Sequence, residues 1–488
     1  MTDQRVVNME ADLAVVGGGV AGLTAANRAA ELGARVLVLE KGTDEHYACN
    51  SRIATGVLNV AHHDPHSQPA VLRRAIELDT EGYASPALAD ALATNAGRAV
   101  QWLRSQGARL IKVPIHGVSR WMLAPPRTLS AGLDWQGRGP DVLLTTLAAN
   151  LKRRGGTLML GARAQALRIE GKRCIGVAAR QGGNAFNFDA GSTLLADGGF
   201  QANPQLVARF ISARPDALTQ RSAGSGQGDA LIMAEQAGAR LTDASAFYGH
   251  LLVRDSLGNA GLWPYPTMDT LVGGAVMVDR SGRRFLDEGL GGIALSNALA
   301  RLPDPSVATA IFDQAIWDSA GRTELVPPNP QLEAAGGTVL RAPDLAALAA
   351  MIEVPADGLQ DTIASYNAAV LAGNGEALTP RRSAGRMFGE SRSSGKRVSL
   401  LPVLKPPYYA IRLVAGISYT MGGIEIDAQA RVIARDGAVF PGLFAAGSCT
   451  GGLEGGPLGG YVGGFLKAVT LGLIAGETVG ATLKAGAK

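Results

Sequence analysis

Between Asp12 and Lys41 the chain reads DLAVVGGGVAGLTAANRAAELGARVLVLEK, and few folds accommodate that run. DLAVV is a short apolar run of strand type, the stretch carrying Leu23, Ala26, Ala30 and Leu32 has helical periodicity, and ARVLVLEK is a second strand-like run. Strand, tight turn, helix and strand make a βαβ unit, which commits this part of the chain to a parallel sheet. Gly17, Gly19 and Gly22 fill the GxGxxG pattern. The first permits the tight turn, the second lets backbone approach a pyrophosphate, and the third lets helix pack on strand. The phosphate charge is met by unpaired N–H groups at the helix N-terminus. Glu40 closes the second strand, where a carboxylate can accept hydrogen bonds from a ribose. The motif alone does not separate FAD from NAD.

With 488 residues, 47% of them apolar and 18% charged, the chain is long enough for more than one domain and has a globular balance. The formal net charge is +4, and basic residues gather only in pairs such as Arg153-Arg154, so no nucleic-acid partner is expected. Cys49, Cys174 and Cys449 are far apart and form neither a disulfide framework nor a metal spacing. His62, His63 and His66 in AHHDPH fit a loop better than a metal site. The N-terminus lacks the plan of a signal peptide. The apolar run Phe465–Gly476 is interrupted by Lys467 and is shorter than the roughly 20 residues a bilayer requires, so a cytoplasmic protein with no transmembrane segment is expected.

Further strands are expected at Thr157–Leu160, Cys174–Ala179 and Thr193–Ala196, with a helix over 140–153. They imply a parallel sheet joined to a smaller β meander. From Asp243 to Lys396 the chain changes to aromatic and Pro-bearing loops, a helical patch near 305–320 and the polar stretch RRSAGRMFGESRSSGKR. Strands in PPYYAIRLV, GGIEIDAQARVI and PGLFAAG follow, then a helix over 461–481. The division expected is 1–242, an inserted unit at 243–396, and a return at 397–488.

Six segments come in a telling order: CNSRIATGVLNVA, LLADGGFQANPQL, GQGDALIMAEQAGARL, DRSGRRFLDE, PPYYAIRLVAGISYTMGG and PGLFAAGSCTGG. Over nearly its whole length the chain resembles the FAD-dependent fumarate reductase and succinate dehydrogenase flavoprotein superfamily, including its 3-ketosteroid dehydrogenase and tricarballylate dehydrogenase branches. The resemblance implies an α/β fold: a Rossmann-type FAD-binding domain built from both chain ends, with an inserted α+β capping domain and substrate held between cap and flavin. It implies that Asn50, Ser51, Ala54, Thr55 and Gly56 line the pyrophosphate and isoalloxazine and that Ala164 lies near the adenine. Ala196, Asp197, Gly198, Gly447 and Ser448 would follow the cofactor chain, and Ala21, Lys41, Arg52, Asp229 and Gly463 join the expected cofactor-binding set. Some relatives tether FAD through a histidine just after the equivalent of Asn50-Ser51. Arg52 and Ile53 stand there, so non-covalent FAD is expected.

Fumarate reductases of this superfamily clamp two carboxylates with arginines, because bidentate pairs orient and polarise a diacid. One such arginine normally precedes the LGG of the glycine-rich stretch, where this chain has Pro457. Another follows the RRFLDE-like strand, where GLGGIALSN has none. A diacid reductase is therefore disfavoured. Ketosteroid dehydrogenases use tyrosines, and Tyr419 stands where fumarate reductases have a substrate-binding histidine, with Tyr461 and Tyr248 as further candidates. As a hydrogen-bond donor to the carbonyl or as a tyrosinate base, Tyr419 would need its pKa lowered by a cation or dipole. His250 matches a substrate-side histidine of the family, and Arg120 or Arg52 is the candidate for a substrate oxygen or carboxylate. The expected activity is an FAD-dependent oxidoreductase on CH–CH bonds, a desaturase that removes an α-proton and passes a β-hydride to the flavin. Its expected substrate is a cyclic ketone, keto-acid or steroid-like carbonyl compound, and its electron acceptor oxygen, a quinone or a carrier protein. The alternatives are an ene-reductase or dehydrogenase of a small carboxylate, as in the fumarate reductase and tricarballylate types, and a flavin-binding protein without turnover.

Overall fold

The computed structural model describes residues 6–115, 118–128, 130–386 and 397–486. β1 (Val6–Val16), α1 (Val20–Glu31) and β2 (Val36–Glu40) form the expected βαβ unit, with β1 parallel to β2. The last four residues of β1 are buried on both faces, as a strand covered by helices on either side requires. A short helix α2 (Asn50–Ile53) and the longer α3 (Gly139–Arg153) lead to β3 (Thr157–Leu160), which pairs in parallel with β2. β4 (Ala162–Glu170), β5 (Arg173–Gln181) and β6 (Asn184–Leu195) are an antiparallel meander, and β6 then runs parallel to β1 on its other side. β1 therefore lies between strands reached by connections in opposite directions. Its C-terminal end is the place where such sheets open a crevice for ligand.

A second sheet is built around the 14-residue β10 (Tyr408–Met421). Against it run β7 (Ala246–Val253), β8 (Thr309–Asp313) and β9 (Leu340–Ala342), all antiparallel. Strand pairing thus draws residues 408–421 into the second sheet, past the return expected at 397. The helical patch expected near 305–320 is also corrected: Thr309–Asp313 is a fully buried strand, and helix follows only over Gln314–Asp318. A short run with an apolar centre does not declare its period, so burial in a sheet decides it. Of the polar stretch expected in this unit, Met387 to Lys396 lie outside the described residues.

After Met421 the chain rejoins the first sheet through β11 (Arg431–Ile433) and β12 (Val439–Ala445), the latter parallel to β6. The closing helix α4 (Gly464–Gly486) is longer than expected. It lies against α1 at very short range, because an added Cβ would fall 2.4 Å from the Ala21 carbonyl oxygen at Gly472 and 2.7 Å from that of Ala25 at Gly476. By length and composition residues 464–484 could cross a membrane, but 67% of the apolar window is buried inside the protein. α4 is a core helix that fastens the C-terminal end of the chain onto the N-terminal βαβ unit.

Candidate functional site

β1 ends at Gly17, where φ is +104° and an added Cβ would lie 2.6 Å from the Ala196 carbonyl oxygen. Only glycine fits. α1 starts after Gly19 with no acidic residue in its first turn, and its positive end faces a cleft lined by Gly17, Gly19 and Ala21. Ser51 Oγ accepts the Val20 N–H at 3.0 Å and holds this corner. Gly22 sits inside the layer, with no room for a Cβ against the Gly17 carbonyl oxygen. Glu40 lines the cleft, its two carboxylate oxygens accepting from the Gly18 and Gly42 N–H groups at 2.8 Å each. At one end Asp229 pairs with Lys41 at 3.1 Å and Arg163 at 2.7 Å, beside Ala164. On the other side stand Ala196, Asp197, Gly198, Gly447 and Ser448. Asp197 Oδ2 accepts the Ala230 N–H at 2.9 Å, while Oδ1 is buried and takes no hydrogen bond from the protein. Burial pushes this carboxyl up to about 7. Bare backbone, a helix N-terminus and an under-satisfied buried carboxyl together suit a long, hydroxyl-bearing dinucleotide such as FAD.

Asn50, at the head of α2, borders both this cleft and a second cavity of about 360 Å³. Its side chain joins distant segments, donating to the Ser418 carbonyl at 2.8 Å and accepting from the Ala223 N–H at 2.9 Å. Ala54, Thr55 and Gly56 line the cavity rather than the cleft. Tyr248, Tyr419 and Tyr461 converge here. Tyr248 on β7 and Tyr419 on β10 are direct cross-strand partners, their rings stacked at 5.1 Å, and Tyr461 lies 4.8 Å from Tyr248. Register therefore assembles the pair, and the glycine-rich stretch before α4 delivers the third ring. Arg120 lines the same cavity and donates to the His62 carbonyl at 3.2 Å.

The electrostatics bear on whether Tyr419 acts as a donor or as a tyrosinate base. Burial, with the Glu454 carboxylate next, holds the Tyr419 hydroxyl well above the ordinary tyrosine pKa, and burial does the same for Tyr248. Tyr461 is pushed up to about 12 by burial. At neutral pH all three are phenols and act as donors. Tyr419 donates to Glu454 Oε1 at 3.0 Å, and Glu454 Oε2 pairs with Lys467 Nζ at 2.5 Å.

Three further expectations are corrected. The Arg52 guanidinium is buried in an ion pair with Asp141 on α3, donates to the Glu45 carbonyl at 2.7 Å and lines neither cavity. Its neighbour Ser51 faces the cofactor cleft, but the helical step of about 100° per residue carries Arg52 away from it. His250 is buried behind Tyr248, ring edge at 4.9 Å, with Nδ1 held at 2.6 Å by Asp269, so it supports the cluster without lining the cavity. Gly463 lies against the Asn59 carbonyl rather than in the cleft. Pro457 is exposed and outside the cavity, its carbonyl accepting from Arg301 at 2.9 Å.

Sequence reasoning missed His62, Arg127, Arg221, Glu454 and Lys467. His62 packs 5.0 Å from Tyr461, and burial, then Arg120, drives its pKa down to about 3, so it is a neutral imidazole. Arg127 donates to the Ile53 carbonyl at 3.0 Å, and Arg221 to Ser418 Oγ at 2.7 Å and the Pro264 carbonyl at 2.9 Å. Burial, with Arg221's charge adding, holds Arg127 below the usual arginine range. No Asp or Glu lines this cavity among the described residues. The one available signal was Lys467 itself, a charge inside an apolar helix. No group of His, Cys, Asp or Glu among the described residues could hold a metal ion.

Known proteins resemble this chain in sequence and in fold. The chain is 28% identical over 476 residues to the cytochrome-type fumarate reductase of Shewanella frigidimarina, covering 96% of this chain and 76% of that one. It is 28% identical over 366 residues to the 4-oxocyclohexanecarboxylate 2-dehydrogenase of Sinomonas cyclohexanicum, covering 72% and 62%. The fold superposes on the 3-ketosteroid Δ1-dehydrogenase of Sterolibacterium denitrificans, in complex with 1,4-androstadiene-3,17-dione, with a TM-score of 0.75 at 20% identity, covering 97% of this chain and 100% of that one. Matched over residues 12–461, the chain belongs to the FAD binding domain family and is a flavoprotein oxidoreductase of the class acting on CH–CH bonds.

Proposed function

We propose that this protein is an FAD-dependent dehydrogenase that forms a Cα–Cβ double bond beside the carbonyl of a cyclic ketone, above all a ring keto-acid. The observation that carries this reading is the meeting of Tyr248, Tyr419 and Tyr461 with Arg120, Arg127 and Arg221 in one cavity that abuts the dinucleotide cleft at Asn50. Met122, Trp263, Tyr265 and Phe465 offer apolar walls for a ring. The phenols offer donors for the carbonyl oxygen as charge develops on it. Arginines with no lining acid favour a carboxylate on the same molecule. Bound FAD supplies the acceptor for the β-hydride. Gly17, Gly19 and the α1 N-terminus would hold its pyrophosphate, Glu40 the adenosine ribose, and Asp197 a ribityl hydroxyl. The flavin is held without a covalent bond, since Arg52 and Ile53 follow Asn50-Ser51. The reduced flavin would pass electrons to oxygen, a quinone or a carrier protein. The relative that acts, by its name, on 4-oxocyclohexanecarboxylate takes a ring ketone bearing a carboxylate, in line with this chemistry.

The arginine set also favours a second reading, a dehydrogenase or ene-reductase of a small open-chain carboxylate. FAD-loaded protein mixed with ring keto-acids, neutral cyclic ketones and an artificial acceptor separates the two. Turnover of ring keto-acids supports the first. No turnover of any ketone, together with fumarate reduction by a reduced dye, overturns it. Acid denaturation should release all the flavin into the supernatant.

A further inference from the structure

A dehydrogenase of this kind must take an α-proton, and Tyr419, as a phenol held far above its ordinary pKa, has no free site for it unless its own proton leaves. The structure shows where that proton would go. The Tyr419 hydroxyl donates to Glu454 Oε1 at 3.0 Å, the Val462 N–H reaches the same oxygen at 3.1 Å, and Lys467 Nζ holds the other at 2.5 Å. Glu454 and Lys467 are each only 1% exposed. Burying an ion pair seldom adds stability over apolar packing. On the other side the hydroxyl lies close to the bare backbone of Gly464, where an added Cβ would come 2.5 Å from it. Tyr419 borders the cavity, whereas Glu454 does not.

We propose that Glu454 is the positioning and proton-accepting residue behind Tyr419. As the substrate Cα–H bond breaks, its proton goes to Tyr419 Oη while the Tyr419 O–H proton moves to Glu454 Oε1. The electron pair left on Cα becomes the new C=C bond as the β-hydride departs to FAD, which is the oxidant. Lys467 Nζ, at 2.5 Å from Oε2, holds the Glu454 carboxyl in place between turnovers. The titratable groups facing Glu454 are Lys467 from α4, Tyr419 from β10 and Tyr461 from the glycine-rich stretch.

This inference rests on the dehydrogenase reading, and the experiment separates the two. Holoenzyme with chemically reduced flavin cannot accept hydride, so deuterium exchange at the substrate α-carbon in D₂O, followed by NMR, reads proton transfer alone. Wild-type protein, Glu454→Gln and the charge-neutral double variant Glu454→Gln/Lys467→Met are compared on ring keto-acids and cyclic ketones. The expected result is a loss of about 100-fold in exchange and in kcat for both variants, with flavin content and KM within about twofold. Exchange in either folded variant within about threefold of wild type overturns the role of Glu454 while leaving the dehydrogenase standing. No exchange and no turnover by wild type on any panel member overturns the parent reading, and the relay with it.

Discussion

The cofactor cleft and the cavity beside it are made by different means. The cleft is backbone and small side chains: Gly17, Gly19, Ala21, Ala196 and Gly198 meet it, most of them at strand ends of a single parallel sheet. The cavity is side chains from separate segments, with Tyr248 and Tyr419 on two strands of the second sheet, Arg120 on a strand of a small third sheet, and Tyr461 on a loop. A site built from main chain tolerates no added atom, whereas a site built from side chains tolerates exchange at a cost set by each contact. A substitution in the cleft should therefore abolish cofactor binding outright, and one in the cavity should leave the cofactor and lose rate or affinity by degrees.

The largest effect is expected at Gly17→Ala. The residue would have to hold φ at +104° with its Cβ 2.6 Å from the Ala196 carbonyl oxygen. Strain and overlap together cost on the order of 2–4 kcal/mol at the pyrophosphate turn itself. The protein should purify without flavin, read from the ratio of flavin to protein absorbance, and with a lower Tm. Full flavin occupancy would break the assignment of this turn. Tyr419→Phe tests the other region and comes next. Flavin content should be unchanged, while kcat on a ring ketone falls about 10²–10⁴-fold, the range a positioned proton-transfer group supplies. Loss of flavin in this variant would mean that cleft and cavity are not separable.

The same contrast explains what was legible in the sequence. The βαβ unit, the turn at Gly17 and the acidic end of β2 are local, so glycine spacing and strand period display them. Tyr248, Tyr419 and Tyr461 were visible only through the resemblance, and their meeting depends on the β7–β10 register. Arg52 misled because residues two apart on a helix face nearly opposite ways, so it points away from Asn50 and its guanidinium pairs with Asp141. Arg127, Arg221 and His62 lie in loops of no recognisable motif. Nothing local announces that the fold turns them to one cavity. The extent of the second sheet was also hidden, since β10 reads like any apolar strand and only its partners show which sheet it joins.

A smaller effect is expected at the arginines. Arg221→Gln and Arg127→Gln each remove one charge-assisted hydrogen bond to an acidic substrate, worth about 1.5–3 kcal/mol. KM for a ring keto-acid should rise about 10–100-fold. KM for the neutral ketone of the same ring should stay within about threefold. Equal losses on both substrates would point to a structural role, through Ser418 and Pro264 for Arg221 or Ile53 for Arg127.

The smallest effect tests the one position where the two ways of building a site meet. Gly464 opens α4 next to Gly463, which the resemblance places in the cofactor-binding set, yet its bare Cα faces the Tyr419 hydroxyl in the cavity. In Gly464→Ala the new Cβ would start 2.5 Å from that oxygen, so the phenol must shift by several tenths of an ångström away from Glu454, now at 3.0 Å. Misplacement of 1 Å can cost about 10²-fold in rate, and a shift of a fraction of that should lower kcat about three- to tenfold. Alanine is also the better residue for a helix, so Tm should hold. Flavin content should hold as well, because the cleft is untouched. Lost flavin with unchanged kcat per bound flavin would return Gly464 to the cofactor. Lost kcat with full flavin would show that a glycine in this stretch is kept bare for a side chain in the neighbouring cavity.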